Sequence, residues 1–376
     1  MALRAHARVN LAAVQRNVEH LRAGLTRGTE FCAVVKANAS GHGAIPVARA
    51  ALAGGAGRLA VATAGEAAEL RAAGIQAPVL VMGALSRQEM AVALQARAEV
   101  VAWSPGFVDA VAAVAWEPVG IHVKYDTGMG RLGTRDRDAA LAVADHVLGA
   151  GPGVRLTGAM THFATADGDR AFLDDQLAAF APFAEAMRGR RPGITIHSAN
   201  SAATVREPAS HGDMVRCGIA IYGADPMNVA PEAHGLEPAL ALTSYVAVVK
   251  RARPGDSAGY GRRFVAERET WLATVPIGYA DGIRRALSGR FDVLIAGHRR
   301  RAVGTVSMDN LTVELGPVPP ADIGPETPVT LIGRDGDERI TAEELSNAMG
   351  SIAHELFCGL STRVTRTYHR DGEPVR

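Results

Sequence analysis

Residues 31–43 read FCAVVKANASGHG: five apolar residues, a lysine, and then only small or turn-forming residues. A short apolar run closed by a turn signal is the mark of a buried strand, and a lysine at its C-terminal end stands where a parallel sheet opens to solvent. The chain has 376 residues and holds 40 Lys plus Arg, yet only Lys36, Lys124 and Lys250 are lysines. Where arginine meets the general need for positive charge, a retained lysine points to chemistry in which a proton must leave. A lysine amine among apolar groups can deprotonate and condense with an aldehyde, which a guanidinium cannot do. Lys36 is therefore a candidate Schiff-base lysine, although a surface lysine at a strand end fits its position equally well.

Outward from this stretch the pattern repeats. Before it, residues 5–9 are extended. Residues 10–25 carry Leu11, Val14, Val18 and Leu21 at helical spacing behind a capping Asn10. After it, apolar runs at 59–63, 79–82, 100–103, 120–125, 156–160, 194–197 and 215–222 bring the strand count to eight. Helical candidates fall between them at 64–73, 86–96, 105–114, 137–148 and 169–188. Eight strands alternating with helices imply a closed (β/α)8 barrel of the TIM type. The rhythm stops near residues 228–235. Beyond it, β-like runs at 242–249, 271–276, 291–295, 302–306, 311–315 and 328–332, with one helix at 341–349, imply a mainly antiparallel β domain. The expected organisation is α/β plus β: a first strand in 1–10 that packs on the C-terminal domain, a barrel over 11–232, and a C-terminal β domain over 233–376.

Composition excludes several classes of protein. A net charge of +1 favours neither nucleic acid nor an anionic membrane as a partner. The N-terminus MALRAHARVNLAAVQ lacks the apolar core of a signal peptide, which makes the cytoplasm the expected compartment. Cys32, Cys217 and Cys358 are odd in number and far apart, a spacing that suits neither a disulfide framework nor a metal site.

In such a barrel the active site lies at the C-terminal ends of the strands. Those ends are polar here: Lys36 and Asn38 on the first strand, Lys124 and Asp126 followed by Gly128, Gly130 and Arg131 on the fifth, and His162 on the sixth. Asn200 and Ser201 follow on the seventh, with Arg216, Gly218 and Ile219 on the eighth. Each alone suits a structural role; together on one face they do not. Barrels commonly bind phosphate after strands seven and eight, where Ser201 opens a helix and Gly218 leaves backbone uncovered. A Schiff-base lysine facing a phosphate site describes a pocket for pyridoxal 5'-phosphate. No dinucleotide-binding glycine fingerprint competes with that reading.

The segments AVVKANASGHG, KYDTGMGRLG, MTHFATAD, HSANSAA, MVRCGIAIYG, GYGRRF, PIGYADG and SMDN, in this order and spacing, resemble the signature segments of bacterial alanine racemases over nearly the whole chain. The resemblance implies a pyridoxal-phosphate barrel whose first strand packs on a C-terminal β domain, in a head-to-tail homodimer with active sites shared between subunits. It also implies an isomerase that interconverts L- and D-alanine by two bases, with Lys36 on one face of the substrate and Tyr260 of the partner subunit on the other. A phenol ordinarily titrates near ~10, so the second role needs neighbours that favour the phenolate, and the resemblance puts His162 and Arg216 there. It assigns His162, Asn200, Ser201, Arg216, Gly218 and Ile219 to the cofactor. Arg131 goes to the cofactor phenolate and the substrate carboxylate, and Met308 with Asp309 to the substrate. Lys124 matches a lysine that is carbamylated in many members of the family.

Two positions depart from that pattern. Ser40 stands where the family usually has a tyrosine that reaches the cofactor phosphate, and Thr362, in LSTRV, stands at a position that varies near the pocket. A racemase or epimerase of a larger or specialised amino acid, a related decarboxylase, and a pyridoxal-phosphate-binding protein without turnover remain alternatives. The second domain, with Tyr260 and Met308, argues against the last of these, since a carrier needs no second catalytic face.

Overall fold

The computed structural model describes residues 3–318 and 321–375. The chain divides into two compact units: Val14–Ala39 with Gly43–Ile221, and the N-terminal segment through Ala13 with Ser40–His42 and everything from Tyr222 onward. Strand β1 (His6–Asn10) precedes eight strands that make the sheet of the first unit. These are β2 (Glu30–Val34), β3 (Arg58–Val61), β4 (Val79–Val81), β5 (Glu99–Ala102), β6 (Val119–Lys124), β7 (Val154–Met160), β8 (Thr195–His197) and β9 (Met214–Cys217). All pair in parallel in the order β8-β7-β6-β5-β4-β3-β2-β9. The two ends of the sheet are tied by Asp213 N donating to Ile196 O (2.8 Å) and Arg216 N to Ala199 O (3.0 Å), which makes the barrel.

The expected barrel strands are present, because fully buried parallel strands read as continuous apolar runs. The helices between them begin where side-chain caps satisfy the first free N–H groups. Thr63 with Glu66 and Ser86 with Glu89 form capping boxes, while Ser104, Asp136, Asp169 and Asn200 cap singly. The eighth expected strand, 215–222, is corrected: β9 ends at Cys217 and the chain turns into a 3-10 helix, Ile219–Tyr222. Burial alone kept that run apolar after the strand had stopped.

In the second unit, β1 lies between Leu240–Tyr245, which pairs with it antiparallel, and Thr365–Arg370, which pairs parallel. The latter, TRTYHR, escaped the sequence reading because it has no apolar run. The expected strand at 242–249 is two strands, Leu240–Tyr245 and Val248–Ala252. Between them the chain changes partners: Val246 N donates to Thr327 O and Ala247 N to Thr274 O, each at 2.8 Å. The expected run at 302–306 is instead His298–Val303, whose exposed arginines hid its start. Helix Ala342–Ala348 is capped by Thr341, and a second helix, Ala353–Cys358, follows it. Among the described residues no helix is long and apolar enough to cross a membrane.

Candidate active site

At the end of β2 the backbone enters a left-handed turn. Ala37, Asn38 and Ala39 have φ of 53°, 54° and 53°, and Ser40 has φ 48°. The sequence promised a small-residue loop here; the small residues are what a left-handed run tolerates best. For Ala37, Ala39 and Ser40 such a conformation costs roughly 1–2 kcal/mol each. The Glu66 carboxylate offsets it by accepting from Ala37 N (2.6 Å) while also accepting from Ala62 N (2.8 Å) and Thr63 N (3.1 Å). Only the bond to Ala37 N reaches the turn; at about 1.5–3 kcal/mol it offsets part of that cost. Lys36, exposed at its start, is thereby fixed at the mouth of the barrel. Asn38 plays a structural part, since its Oδ1 accepts from Ala44 N (2.8 Å) at the start of helix Ala44–Ala53.

Lys124 ends β6 and is buried. Burial, and then Arg216 and Arg131, pull its amine down to about 8, against the opposing pull of Asp126. Asp126 is thus not simply the partner of Lys124. Its carboxylate accepts from Gly128 N (3.1 Å) and Gly130 N (3.0 Å), and its own N–H donates to Thr134 O (2.8 Å). Burial works to raise that carboxyl, but the amides of Gly130, Gly128 and Met129 and the charge of Arg135 hold it below the ordinary range. The loop so closed presents Arg131, which is exposed. Gln176, buried on helix Arg170–Arg190, ties this loop to the next: its amide donates to Thr127 Oγ1 (3.1 Å) and accepts from Ala164 N (2.8 Å). Nothing in the sequence marks Gln176, which looks like any polar helix residue.

Arg216, on β9, is the hub of the mouth. Nη1 donates to His197 Nδ1 (2.8 Å), and Nη2 to Thr161 O (3.0 Å), Ser198 O (3.0 Å) and His162 Nδ1 (3.1 Å). Burial lowers the guanidinium only to about 10, so it remains a cation at neutral pH. Its Nε is buried and has no partner among the described residues. His162 is held well below the ordinary histidine range, first by burial and then by Arg216, Lys124, Arg131 and Lys36. A neutral histidine in the field of four basic side chains makes this mouth electropositive. Next to it, Ser201 Oγ accepts from Gly218 N (3.0 Å) and Ala220 N (3.4 Å), and Asn200 caps helix Ser201–Arg206 through Ala203 N (3.0 Å). Ile219 opens the 3-10 turn that follows.

The second unit carries the remaining candidates. Tyr260 is 70% exposed and Met308 51%, and both line an open cleft of about 450 Å³ with Gly259, Ser307, Asp309 and Asn310. Gly259 and Gly261 have φ of 74° and 73°, and a Cβ on Gly259 would lie 2.9 Å from Thr305 N. The Gly-Tyr-Gly sequence is therefore required to display the phenol. Asp309 is held by Arg363 Nη2 (2.6 Å), a residue in LSTRV that the sequence reading passed over for its neighbour Thr362.

Two family models cover almost all of the chain: the alanine racemase N-terminal domain matches residues 9–226 and the C-terminal domain residues 239–368. The chain belongs to the alanine racemase family. The alanine racemase of Geobacillus stearothermophilus is 41% identical over 97% of this chain and 93% of its own. That of Desulfovibrio desulfuricans is 40% identical over 96% and 97%. Among solved structures, alanine racemase from D-cycloserine-producing Streptomyces lavendulae matches with a TM-score of 0.92 at 38% identity over 98% of each chain. The Bacillus anthracis enzyme with bound L-Ala-P matches with a TM-score of 0.91 at 38% identity over 100% of this chain and 97% of that one.

Proposed function

We propose that the protein is a pyridoxal-phosphate-dependent alanine racemase, an isomerase that interconverts L- and D-alanine as a cytoplasmic homodimer with shared active sites. The observation that carries this reading is the buried, unpartnered Nε of Arg216 in a mouth ringed by Lys36, Lys124, Arg131 and His162. A buried N–H without an acceptor is costly, by about 1–3 kcal/mol, and a ring nitrogen is the acceptor that removes the cost. The mouth therefore fits the cofactor on this chain's own chemistry. Lys36 Nζ would anchor the aldehyde carbon, and Ser201, Gly218, Ile219 and the helix opened by Asn200 would receive the phosphate. Arg216 would face the ring, with His162 beside it.

Pyridoxal phosphate, when bound, supplies an electron sink that acidifies the substrate α-carbon. Arg216 presents an N–H that it does not give up, so the atom opposite must accept and stays unprotonated. By keeping that atom unprotonated, Arg216 would weaken the sink and so favour return of the proton to the α-carbon over transamination. Inversion of a stereocentre needs a group on each face. Lys36 Nζ serves one and Tyr260 Oη of the partner subunit the other, with Arg131 on the substrate carboxylate and Met308 and Asp309 beside the side chain. Lys124, a buried cation beside Arg216 and Arg131, is in like-charge surroundings that a carbamate on its nitrogen would reverse.

The test is to mix the purified protein and pyridoxal phosphate with each L-amino acid and follow optical rotation together with carbon dioxide release. Loss of rotation with alanine and no carbon dioxide is the expected result. Release of carbon dioxide would establish a decarboxylase instead, and inertness toward every amino acid would leave a carrier of the cofactor.

A further inference from the structure

The interior of the barrel is divided. An apolar cluster of Cys32, Val34, Ala60, Leu80, Val101, Met160 and Met214 fills part of it. A column of polar side chains runs beside the cluster from the N-terminal end of β5 to the mouth. Glu99 Oε2 lies 3.1 Å from His122 Nε2, His122 Nδ1 2.7 Å from His197 Nε2, and His197 Nδ1 2.8 Å from Arg216 Nη1. His122 and His197 are wholly buried, and Arg216 is 2% exposed.

The chemistry of the two ends settles every proton between them. A guanidinium can only donate, so His197 Nδ1 accepts and its proton sits on Nε2. That proton is donated to His122 Nδ1, which leaves the proton of His122 on Nε2, directed at a carboxylate that can only accept. Glu99 also faces the Arg58 guanidinium, a donor-only group with which it forms an ion pair, so its carboxylate serves as the acceptor. Burial, and then the positive charge of Arg58 and Arg216, pulls His122 down to about 3; burial together with Arg216 holds His197 well below the ordinary range. Both rings are neutral, and the column runs one way.

Two glycines show that the barrel makes room for it. A Cβ on Gly158 would lie 2.0 Å from His122 Nδ1, and one on Gly120 would lie 2.7 Å from Glu99 Oε1. Both residues sit inside β-strands, where glycine packs poorly and costs conformational entropy. The β6/β7 register also shifts between Ile121 and His122, where the first ring enters the interior.

We propose that Glu99, His122 and His197 are positioning residues, a one-way hydrogen-bond column that locks the Arg216 guanidinium in place and leaves its Nε–H free for the ring nitrogen of pyridoxal phosphate. The cofactor part of this inference rests on the function proposed above. The column itself does not. Without His122, the Nε2–H of His197 loses its acceptor. The other tautomer would then turn Nδ1–H against the Arg216 donor and push the guanidinium out of line.

The first test uses the native protein free of cofactor, labelled with nitrogen-15 in histidine. His122 and His197 should each show an unprotonated Nδ1 and a protonated Nε2, with a scalar coupling across the His197–His122 hydrogen bond. A protonated Nδ1 on either ring overturns the column, whatever any variant does. The second test measures pyridoxal 5'-phosphate binding by equilibrium dialysis for His122→Leu and His122→Asn. The leucine variant should bind about tenfold more weakly, the equivalent of one charge-assisted hydrogen bond out of line. The asparagine variant, whose Oδ1 takes the place of Nδ1, should recover most of the loss and keep the native His197 signals. Equal affinity in His122→Leu and the native protein would refute the positioning role. Native protein that shows the expected tautomers but does not bind pyridoxal phosphate counts against the proposed function and not against the column.

Discussion

At the scale of single residues, Lys124 and Ser40 are where this chain's behaviour is most open to test. The Lys124 amine titrates near about 8 instead of the ordinary lysine range because it is buried and faces Arg216 and Arg131. Only the free amine can attack carbon dioxide, its nitrogen bonding the carbon and losing one proton as the carbamate forms, so uptake should rise as pH increases through about 8 and vanish well below it. Carbon-13 bicarbonate should yield a carbamate signal that Lys124→Ala lacks; absence of that signal at pH above the amine's own value would remove the carbamate from this site. Ser40 is buried, in the left-handed turn that follows Lys36. If the family's tyrosine reaches the phosphate from there, a serine forfeits one charge-assisted hydrogen bond, about 1.5–3 kcal/mol, or roughly ten- to hundredfold in affinity. Ser40→Tyr should then tighten pyridoxal phosphate binding, narrow any activity on serine or longer aliphatic amino acids, and keep alanine turnover. Unchanged affinity with an unchanged substrate profile would show that position 40 does not face the cofactor.

At the scale of elements, the turn after β2 shows how a local conformation is held from a helix distant in sequence. Glu66 serves as the third residue of a capping box and also reaches across to Ala37 N. Glu66→Ala should lower stability by about 1.5–3 kcal/mol, the loss of one charge-assisted bond with part of a cap. It should also weaken the cofactor's hold by freeing the lysine, whereas Glu89→Ala, in the equivalent box of the next helix, should cost only the cap. Equal effects in the two variants by thermal unfolding and dialysis would mean that the bond to Ala37 holds nothing. The same elements show what was legible in the sequence. Fully buried strands announced themselves as apolar runs, and the residues at their ends could be read off in order because a parallel barrel places its site there. What stayed hidden depends on partners distant in sequence. Thr365–Arg370 is a strand only because β1 lies beside it. Gln176 matters through two loops it joins, and His122 and Glu99 through an arginine on another strand. The left-handed turn left a trace, a run of small residues, but Ala-Asn-Ala-Ser is equally an ordinary loop until the glutamate that holds it is known.

At the scale of the molecule, the candidate groups fall on two units: Lys36, Lys124, Arg131, His162 and Arg216 on the barrel, and Tyr260, Met308 and Asp309 on the β unit. Tyr260, at 70% exposed, is an expensive side chain to leave in water on a turn that needs two glycines with positive φ to present it. The Arg363 side chain, beside Asp281 and bonded to Asp309, fixes the neighbouring acid. In the proposed homodimer the barrel mouth of a second copy would cover this surface. Each active site would then take Lys36 from one subunit and Tyr260 from the other. Lys36→Ala and Tyr260→Phe homodimers should both be inactive in alanine racemisation. After the two are mixed, dissociated and reassociated, hybrids carry one site with both defects and one with neither. Random pairing of equal amounts gives half hybrids with one sound site in two, so activity should return to about a quarter of the native value, in proportion to the hybrid population. The hybrids are counted by differential tagging and native mass spectrometry. Verified hybrids without activity would mean that each subunit builds its site from its own Lys36 and Tyr260, and the shared-site dimer would have to be abandoned.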